Sequence, residues 1–560
     1  MKSRLNMARP YFTNYIPKFL FFASIILSIF TTYYVSGHFV DSDTSSELVL
    51  ASHWIETGKI LSPDWFYATE LRFLHVQWIY APLMLLLDDW FLVRYIGALI
   101  MQALYLTSFA CLVHAAGKSK NFFFYGAALL LLPVSVTYGR VVLYHNHYLP
   151  NITVSFFLLA LSMHFVGEVN WRSRKTWLKL FFLAVLSFAA GLNSIRQLMI
   201  THAPLLLMAV LLYWIEDFKN EDSSKTSFFK PVHLNFLLCA IYSALFSYCG
   251  LMAQGFLRSK LGLQVELQAE TNILSFIGFD YIPDMLYGFF HQFGYRKKVA
   301  MLSVSGILGL GSIFTGCYLL FISHKRLFRN KTPQDKRSIL LSSFFWAHTA
   351  VMTLIFLLTS GSSPYYYPLY LALCFPWAVP LLLTYFEELP ATVHLLHPKK
   401  LFVVVSVLIL LLSSAINFAY FHGSDRFPQT YEGLTFHNRD HKEELTEVVD
   451  FLMEQGYDKG YASYWECNLI TEMTSGSIPM VLINDQYFNA SGNLQYRNWL
   501  TTLWSRESPC EKPFLLLAKE ASQPFSNSDS GAYCTQIYTG HSHVAYSIDN
   551  LDEFIKTLYG

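Results

Sequence analysis

Charge is what this chain most lacks. Asp, Glu, Lys and Arg together make up 14% of its 560 residues, against roughly 25% in an ordinary soluble domain. A chain so apolar is not a disordered one, and it offers no basic face for nucleic acid. Cysteine is sparse as well: eight residues, too few for a disulfide scaffold. Cys111, Cys239, Cys249, Cys317 and Cys374 fall in apolar runs, where free cysteine behaves as a small hydrophobe. Walker A, GxGxxG, HExxH and CxxC patterns are missing, which argues against an ATP-driven pump or a zinc protease. There is no short-period repeat, so a solenoid is not expected.

What the chain does have is apolar and aromatic bulk. Hydrophobic residues are 53% of the total, with 48 Phe, 35 Tyr and 12 Trp. That composition fits a polytopic membrane protein, whose main solvent is lipid. The first apolar run, about 17–36, follows Lys2, Arg4, Arg9 and Lys18. It is long and lacks a small-residue cleavage site, so it reads as an uncleaved span with a cytoplasmic N-terminus. Ten further runs lie near 94–116, 122–143, 149–166, 178–194, 198–215, 232–256, 299–322, 339–359, 368–386 and 401–421. Eleven spans put the basic loops 117–120, 171–179, 323–337 and 397–400 all on the cytoplasmic side, as the positive-inside rule requires. The 76–87 stretch is too short to cross and reads as an interfacial helix on the outer face.

The expected fold class is therefore an α-helical polytopic membrane protein of about 11 spans, with a small C-terminal α/β domain outside the cytoplasm. The expected division is a membrane domain over 1–421 and a soluble domain over 422–560. In the tail, Leu445, Val448, Val449 and Leu452 recur at helical spacing before Gly456. Residues 478–483 and 514–518 read as strands. An exterior tail leaves Cys510 and Cys534 able to pair, with Cys467 unpaired.

Chemistry concentrates where the chain first leaves the bilayer. Asp41, Asp43 and Glu47 follow the first span, and Glu70, Arg72 and His75 precede the interfacial helix. A carboxylate at that surface is placed to take a proton from a hydroxyl. The bland alternative is solvated loop charge, a helix cap within 43–47, and a Glu70–Arg72 surface pair of little energetic value. Arg140 and Arg196 sit at span ends, where an ionisable residue is either functional or snorkelling. His145 and His147 flank Asn146; two histidines without a third ligand are more often polar loop residues than a metal site. Tyr365, Tyr366 and Tyr367 suit either sugar stacking or an interfacial aromatic belt. Arg258, Lys260 and Arg296–Lys298 suit either a lipid phosphate or a solvated face.

Five segments in order add a family resemblance. Asp43-Thr44 is followed by ASHWIETGKI (51–60); then come TELR (69–72) with VQWIYAPL (76–83), FLVRYIGAL (91–99), GRVVLYHNHY (139–148) and SPYYYPLYLALCFPW (363–377). This layout resembles the GT-C superfamily of membrane glycosyltransferases, in particular its family-39-like and aminoarabinose-transferase-like branch. The likeness covers roughly 37–150 by motif and the rest by layout. Thr44 stands where the family has Glu, and His145-Asn146-His147 where it has Asp. Asp43 is then the single acidic residue at the family's catalytic position.

The resemblance implies a glycosyltransferase in the cell membrane. Its donor would be a sugar on polyprenyl phosphate, and its acceptor a hydroxyl of a cell-envelope glycan, lipid or protein. Transfer would invert configuration. Asp43, with Asp41 as its substitute, would be the catalytic base. Glu70, Arg72, His75, Arg140, His145, Asn146, Arg196 and Tyr366 would bind donor or acceptor, and Arg258, Lys260 and Arg296 the lipid phosphate. No cofactor is fixed by the residues, though the family leaves room for a divalent metal. The rival readings are a lipid-oligosaccharide flippase or secondary transporter, a sensor anchored by its spans, and a relative without catalysis. A transporter should carry charges at mid-span and broken half-helices; here most charges sit at span ends.

Overall fold

The computed structural model describes residues 2–68, 70–219, 231–265, 279–297, 299–329, 336–358, 371–389, 397–423, 441–484 and 494–558. The chain divides into two compact units. One, mainly helical, comprises Met1–Thr32, Leu99–Gln254 and Glu270–Leu434. The other, mixed, comprises Tyr33–Ala98, Gly255–Ala269 and Thr435–Gly560.

Among the described residues, seven helices are long and apolar enough to cross a membrane: Tyr15–His38, Trp90–Ala115, Arg174–Asn193, Leu234–Leu261, Val304–Phe328, Lys336–Leu358 and Pro398–Phe421. Three shorter apolar helices, Leu149–Met163, Leu198–Trp214 and Ala372–Glu387, fall on three more of the expected spans. The remaining one, 122–143, is not a continuous helix. It runs as an α-helix over Lys120–Leu130, opens through Pro133, and resumes as a π-helical turn over Tyr138–Tyr144. Proline cannot donate the helical hydrogen bond and clashes with the preceding turn, so the break falls where the sequence places it. Backbone groups freed inside lipid must find partners. Asn417 Nδ2 donates to the Pro133 carbonyl at 2.7 Å, and the Tyr138 hydroxyl donates to the Leu130 carbonyl at 2.7 Å. Gln102 ties the first and second spans to this segment: it accepts from Ser28 at 2.9 Å and donates to Thr32 at 2.9 Å and the Leu143 carbonyl at 3.0 Å. Polar side chains of this kind hold membrane helices together where lipid supplies no hydrophobic drive.

Small residues let two of these helices touch backbone to backbone. A Cβ on Gly191 would sit 1.8 Å from the Ser247 carbonyl oxygen, and one on Gly250 would sit 2.0 Å from that of Phe188. Helices Arg174–Asn193 and Pro231–Leu261 therefore pack through a reciprocal glycine contact.

The mixed unit is built on a six-stranded sheet. Its strands are β3 (Lys459–Ala462), β4 (Met480–Asn484), β5 (Gln495–Tyr496), β6 (Pro513–Ala518), β7 (Cys534–Thr539) and β8 (His543–Ile548), in the spatial order β5-β4-β3-β6-β8-β7. β3 pairs in parallel with β4 and β6, and the outer pairs are antiparallel. The expected strands 478–483 and 514–518 are thus β4 and β6. The amphipathic helix forms over His441–Glu454 and buries Leu445, Val448, Val449 and Leu452, with Gly456 at φ 73 after its end. Cys510 and Cys534 are both free thiols, so the disulfide that the tail left open does not form.

The sheet does not carry its core alone. Two short strands, β1 (Phe66–Tyr67) and β2 (Gln264–Val265), pair in parallel and join the loops after the first and seventh spans. Trp54, Trp65, Tyr67, Leu71 and Leu263 from those loops share one buried cluster with Leu445, Leu452, Leu469, Ile470, Leu482 and Phe514 of the tail. By packing, the tail is one body with segments that precede residue 422. Composition places a boundary at 421/422 because polarity changes there; apolar packing draws it elsewhere.

The glycine contact generates a stability prediction. Gly250→Leu is expected to lower the thermal midpoint in detergent, since overpacking costs on the order of 1–3 kcal/mol. Light-scattering-detected unfolding of purified protein would measure it, and an unchanged midpoint would mean that the close approach carries no stability.

Candidate active site

The site begins with the helix Ser42–Thr57, formed immediately after the first span. Asp41 caps it: its Oδ1 accepts from the Thr44 amide at 2.9 Å and from the Thr44 hydroxyl at 2.8 Å. Thr44 Oγ1 in turn accepts from the Asp41 amide at 3.2 Å. This is a reciprocal capping box, one residue pair earlier than the 43–47 cap that the sequence suggested. It also gives Thr44 a role at the position where the resembling family has Glu. Gly58, left-handed at φ 66, ends the helix by donating to the Trp54 carbonyl at 2.9 Å.

The cap places Asp43 and Glu47 one turn apart, on one face of the helix. Asp43 is half-buried and its Oδ1 accepts a short hydrogen bond from the Tyr464 hydroxyl. Burial above all, then the Asp43 carboxylate by charge and hydrogen bond, hold that hydroxyl well above the usual phenol range, with Arg72 opposing and Asp41 adding. Tyr464 is therefore a proton donor throughout the accessible pH range.

Glu47 is 2% exposed and meets Arg72, His75 and Gln77. Arg72 Nη1 lies 2.8 Å from its Oε1, His75 Nδ1 lies 3.1 Å from its Oε2, and Gln77 Nε2 donates to the same Oε2. Arg72 also donates to the Ser46 hydroxyl at 3.1 Å. Arg72 adopts left-handed backbone, φ 54, which costs a residue with a Cβ about 1–2 kcal/mol. The contacts to Glu47 and Ser46 hold it there. The surface pairing of Glu70 with Arg72 is thus corrected: Arg72 is buried against Glu47, and Glu70 is itself buried. These are interior groups, not solvated loop charges.

A second buried pair lies beside the first. Arg94, 4% exposed, begins the second span. Its Nε donates to Glu472 Oε1 at 2.8 Å and its Nη2 donates to Oε2. Glu472 Oε2 also accepts from the Ser45 hydroxyl at 2.7 Å. The helix Tyr464–Met473 therefore reaches the Ser42–Thr57 helix at both of its ends. Sequence reading assigned no role to Tyr464, Glu472 or Arg94, and took Glu47 for a surface carboxylate or a cap residue. Arg94 carried a usable signal, an ionisable residue inside an apolar run; Tyr464 and Glu472 carried none, because their partners lie hundreds of residues away.

The other expected site residues fall as follows. In the mixed unit, Arg258 is half-buried and Lys260 exposed at the end of the seventh span, with the Lys260 amine 5.9 Å from the Phe256 ring. In the helical unit, Arg140 is half-buried on the π-helical turn. His145 is buried, and Asn146 is fully buried in left-handed backbone at φ 59. Both amide atoms of Asn146 lack a hydrogen-bond partner. Arg196 lies over the Tyr148 ring at 4.9 Å, which joins the 139–148 and 191–197 segments. Arg296 is 5% exposed and donates to Asn417 Oδ1 at 2.7 Å; burial pulls its guanidinium down to about 10, with Tyr287 opposing. Tyr366 lies outside the described residues, as does Lys298. Among the described residues, no group of three or more His, Cys, Asp or Glu is arranged to hold a metal ion. That includes the neighbourhood of His145 and His147.

Two outcomes test this geometry. Glu47→Ala strands a buried guanidinium and is expected to destabilise the protein by about 3–5 kcal/mol, read as a lower unfolding midpoint than that of Glu70→Ala. His53, 2% exposed on the same helix, is held below the ordinary imidazole pKa by burial, with Asp64 opposing and Lys59 adding. A depressed histidine stabilises the fold above its unfolded pKa, and that stability is lost as pH falls below about 6.5. His53→Gln should therefore flatten the fall in thermal midpoint between about pH 7 and pH 5.

No protein-family model matches the chain, and no curated protein matches it. Solved structures do. ArnT from Cupriavidus metallidurans in the apo state aligns with TM-score 0.50 and 12% identity over 97% of this chain and 99% of that one. The same protein bound to undecaprenyl phosphate aligns with TM-score 0.49 and 11% identity, over the same shares. The Archaeoglobus fulgidus oligosaccharyltransferase in its apo form aligns with TM-score 0.50 and 11% identity, over 97% of this chain and 75% of that one. The chain has the GT-C fold, as its loop motifs led one to expect.

Proposed function

We propose that the protein is a membrane glycosyltransferase. It moves a sugar from a polyprenyl-phosphate donor to a hydroxyl on an extracytoplasmic acceptor, a glycan, lipid or protein of the cell envelope. The N-terminus is cytoplasmic, and the tail from about 422, together with the loop segments that share its core, lies on the outer side and recognises the acceptor. The observation that carries this reading is Asp43: a half-buried carboxylate at the first turn of a capped helix, emerging from the first span and fixed by a buried hydroxyl.

Asp43 takes the proton of the acceptor hydroxyl. The acceptor oxygen attacks the anomeric carbon from the face opposite the phosphate. The bond from that carbon to the phosphate oxygen breaks, its electron pair leaves with the phosphate, and configuration inverts. Charge building on the leaving phosphate is the main electrostatic demand. Arginine answers it best, because its planar fork meets two phosphate oxygens at once. Arg72, Arg140, Arg196, Arg258, Lys260 and Arg296 are the candidates. Arg296 is apt because its hydrogen-bond partner is a neutral amide, and a buried cation gains most from an arriving anion. Asn146 suits a sugar hydroxyl: its unpartnered amide costs about 1–3 kcal/mol per buried group until something bonds it. Glu70 and His75 in the mixed unit, His145 in the helical unit and Tyr366 are further candidates for donor or acceptor contacts.

Asp43→Asn keeps the size of the side chain and its acceptor oxygen for Tyr464 but removes the base. Transfer should fall by about 10²–10⁴-fold with the thermal midpoint little changed. The assay is purified protein in nanodiscs with undecaprenyl-phosphate-linked hexoses and pentoses, following sugar moved or released. Full activity in the variant would transfer the role to Asp41 or remove it. No turnover by the wild type across donors would sink the transferase reading.

A further inference from the structure

The tail touches the candidate base directly. Tyr464 opens the helix Tyr464–Met473, and its hydroxyl is on Asp43 Oδ1. The ring is 6% exposed. It packs edge-on against Trp465 at 5.3 Å between ring centroids, and the Arg497 guanidinium lies 5.5 Å from its centre. At the far end of the same helix, Glu472 bonds Ser45 and Arg94. The phenol is thereby fixed at both its ring and its helix.

We infer that Tyr464 is a positioning residue, supplied by the tail, that orients the Asp43 carboxylate toward the acceptor proton. This rests on the transferase reading and deepens it. An aspartate on the first turn of a helix has two side-chain torsions to settle. A donor on one oxygen fixes the carboxylate plane, and with it the approach of the proton to be abstracted. Because the hydroxyl's own ionisation lies far above working pH, Tyr464 only donates and does not compete as a base. The charged groups facing this pair are Asp41 from the cap, Arg72 from the loop and Arg497 from the segment after β5. The tail is then part of the reacting geometry as well as a surface for acceptors.

The test is Tyr464→Phe, which removes one oxygen and keeps the ring between Trp465 and Arg497. With the undecaprenyl-phosphate-sugar donors above, kcat should fall about 10–100-fold with KM little changed. Measured per folded molecule, that fall in kcat at constant KM is one that loss of packing alone would not cause. A double-mutant cycle with Asp43→Ala, read as thermal midpoints, reports the contact without any turnover: the two losses should be less than additive. Additive losses would overturn the inference whatever the activity. Coupled midpoints with an active wild type and an unchanged kcat in the variant would also overturn it, leaving the transferase reading standing. An inactive wild type would remove that reading, and the positioning role with it.

Discussion

A guanidinium and a carboxylate, both shut away from water, hold the mixed unit together. Arg94 begins a membrane helix and Glu472 ends a helix of the tail, 378 residues further along. Neither could be buried alone, since an isolated buried ion costs several kcal/mol even after relaxation. Together, and with the Ser45 hydroxyl on the same carboxylate, they define where the tail helix meets the helix that carries Asp43. A hydrophobic contact of equal area could slide by an ångström; a two-pronged charged bond cannot, because the fork has one register. The placement of Tyr464 on Asp43 depends on that register.

Glu47 repeats the device one turn further along. Arg72, His75 and Gln77 all aim at one buried carboxylate, so the loop between the first span and the interfacial helix is folded around a charge. The region is polar in composition and yet interior. That is unusual for a loop, since a buried loop must satisfy each of its polar groups. Here the groups satisfy one another: Glu47 meets Arg72, His75 and Gln77, and Arg72 also reaches the Ser46 hydroxyl.

The spans were legible because apolar length is a local signal. Ten of eleven appear as helices near the expected places, and the other is interrupted where Pro133 stands in plain sight. The amphipathic tail helix and the central strands were legible for the same reason, since periods of 3.6 and 2 are written in neighbouring residues. The contacts that make the site were not. Asp43 and Tyr464 are 421 residues apart, and nothing in a tyrosine on an apolar-faced helix tells which distant carboxylate it will meet. Resemblance ranked Asp43 ahead of Asp41, but the physical difference between them was not legible: it is the cap, which commits Asp41 to Thr44. The burial of Glu47, Glu70 and Arg72 was equally hidden. Hydropathy reads such residues as solvent-loving, and it has no means of seeing that they solvate one another.

Arg72 sits in a backbone conformation that glycine would adopt without strain. A glycine there would relax the chain and at the same time delete the guanidinium that Glu47 and Ser46 grip. The relief, about 1–2 kcal/mol, is smaller than the cost of leaving the buried Glu47 carboxylate without its guanidinium. A variant library selected for robustness would therefore hold the arginine in its awkward backbone, for the sake of a neighbour and not of its own conformation.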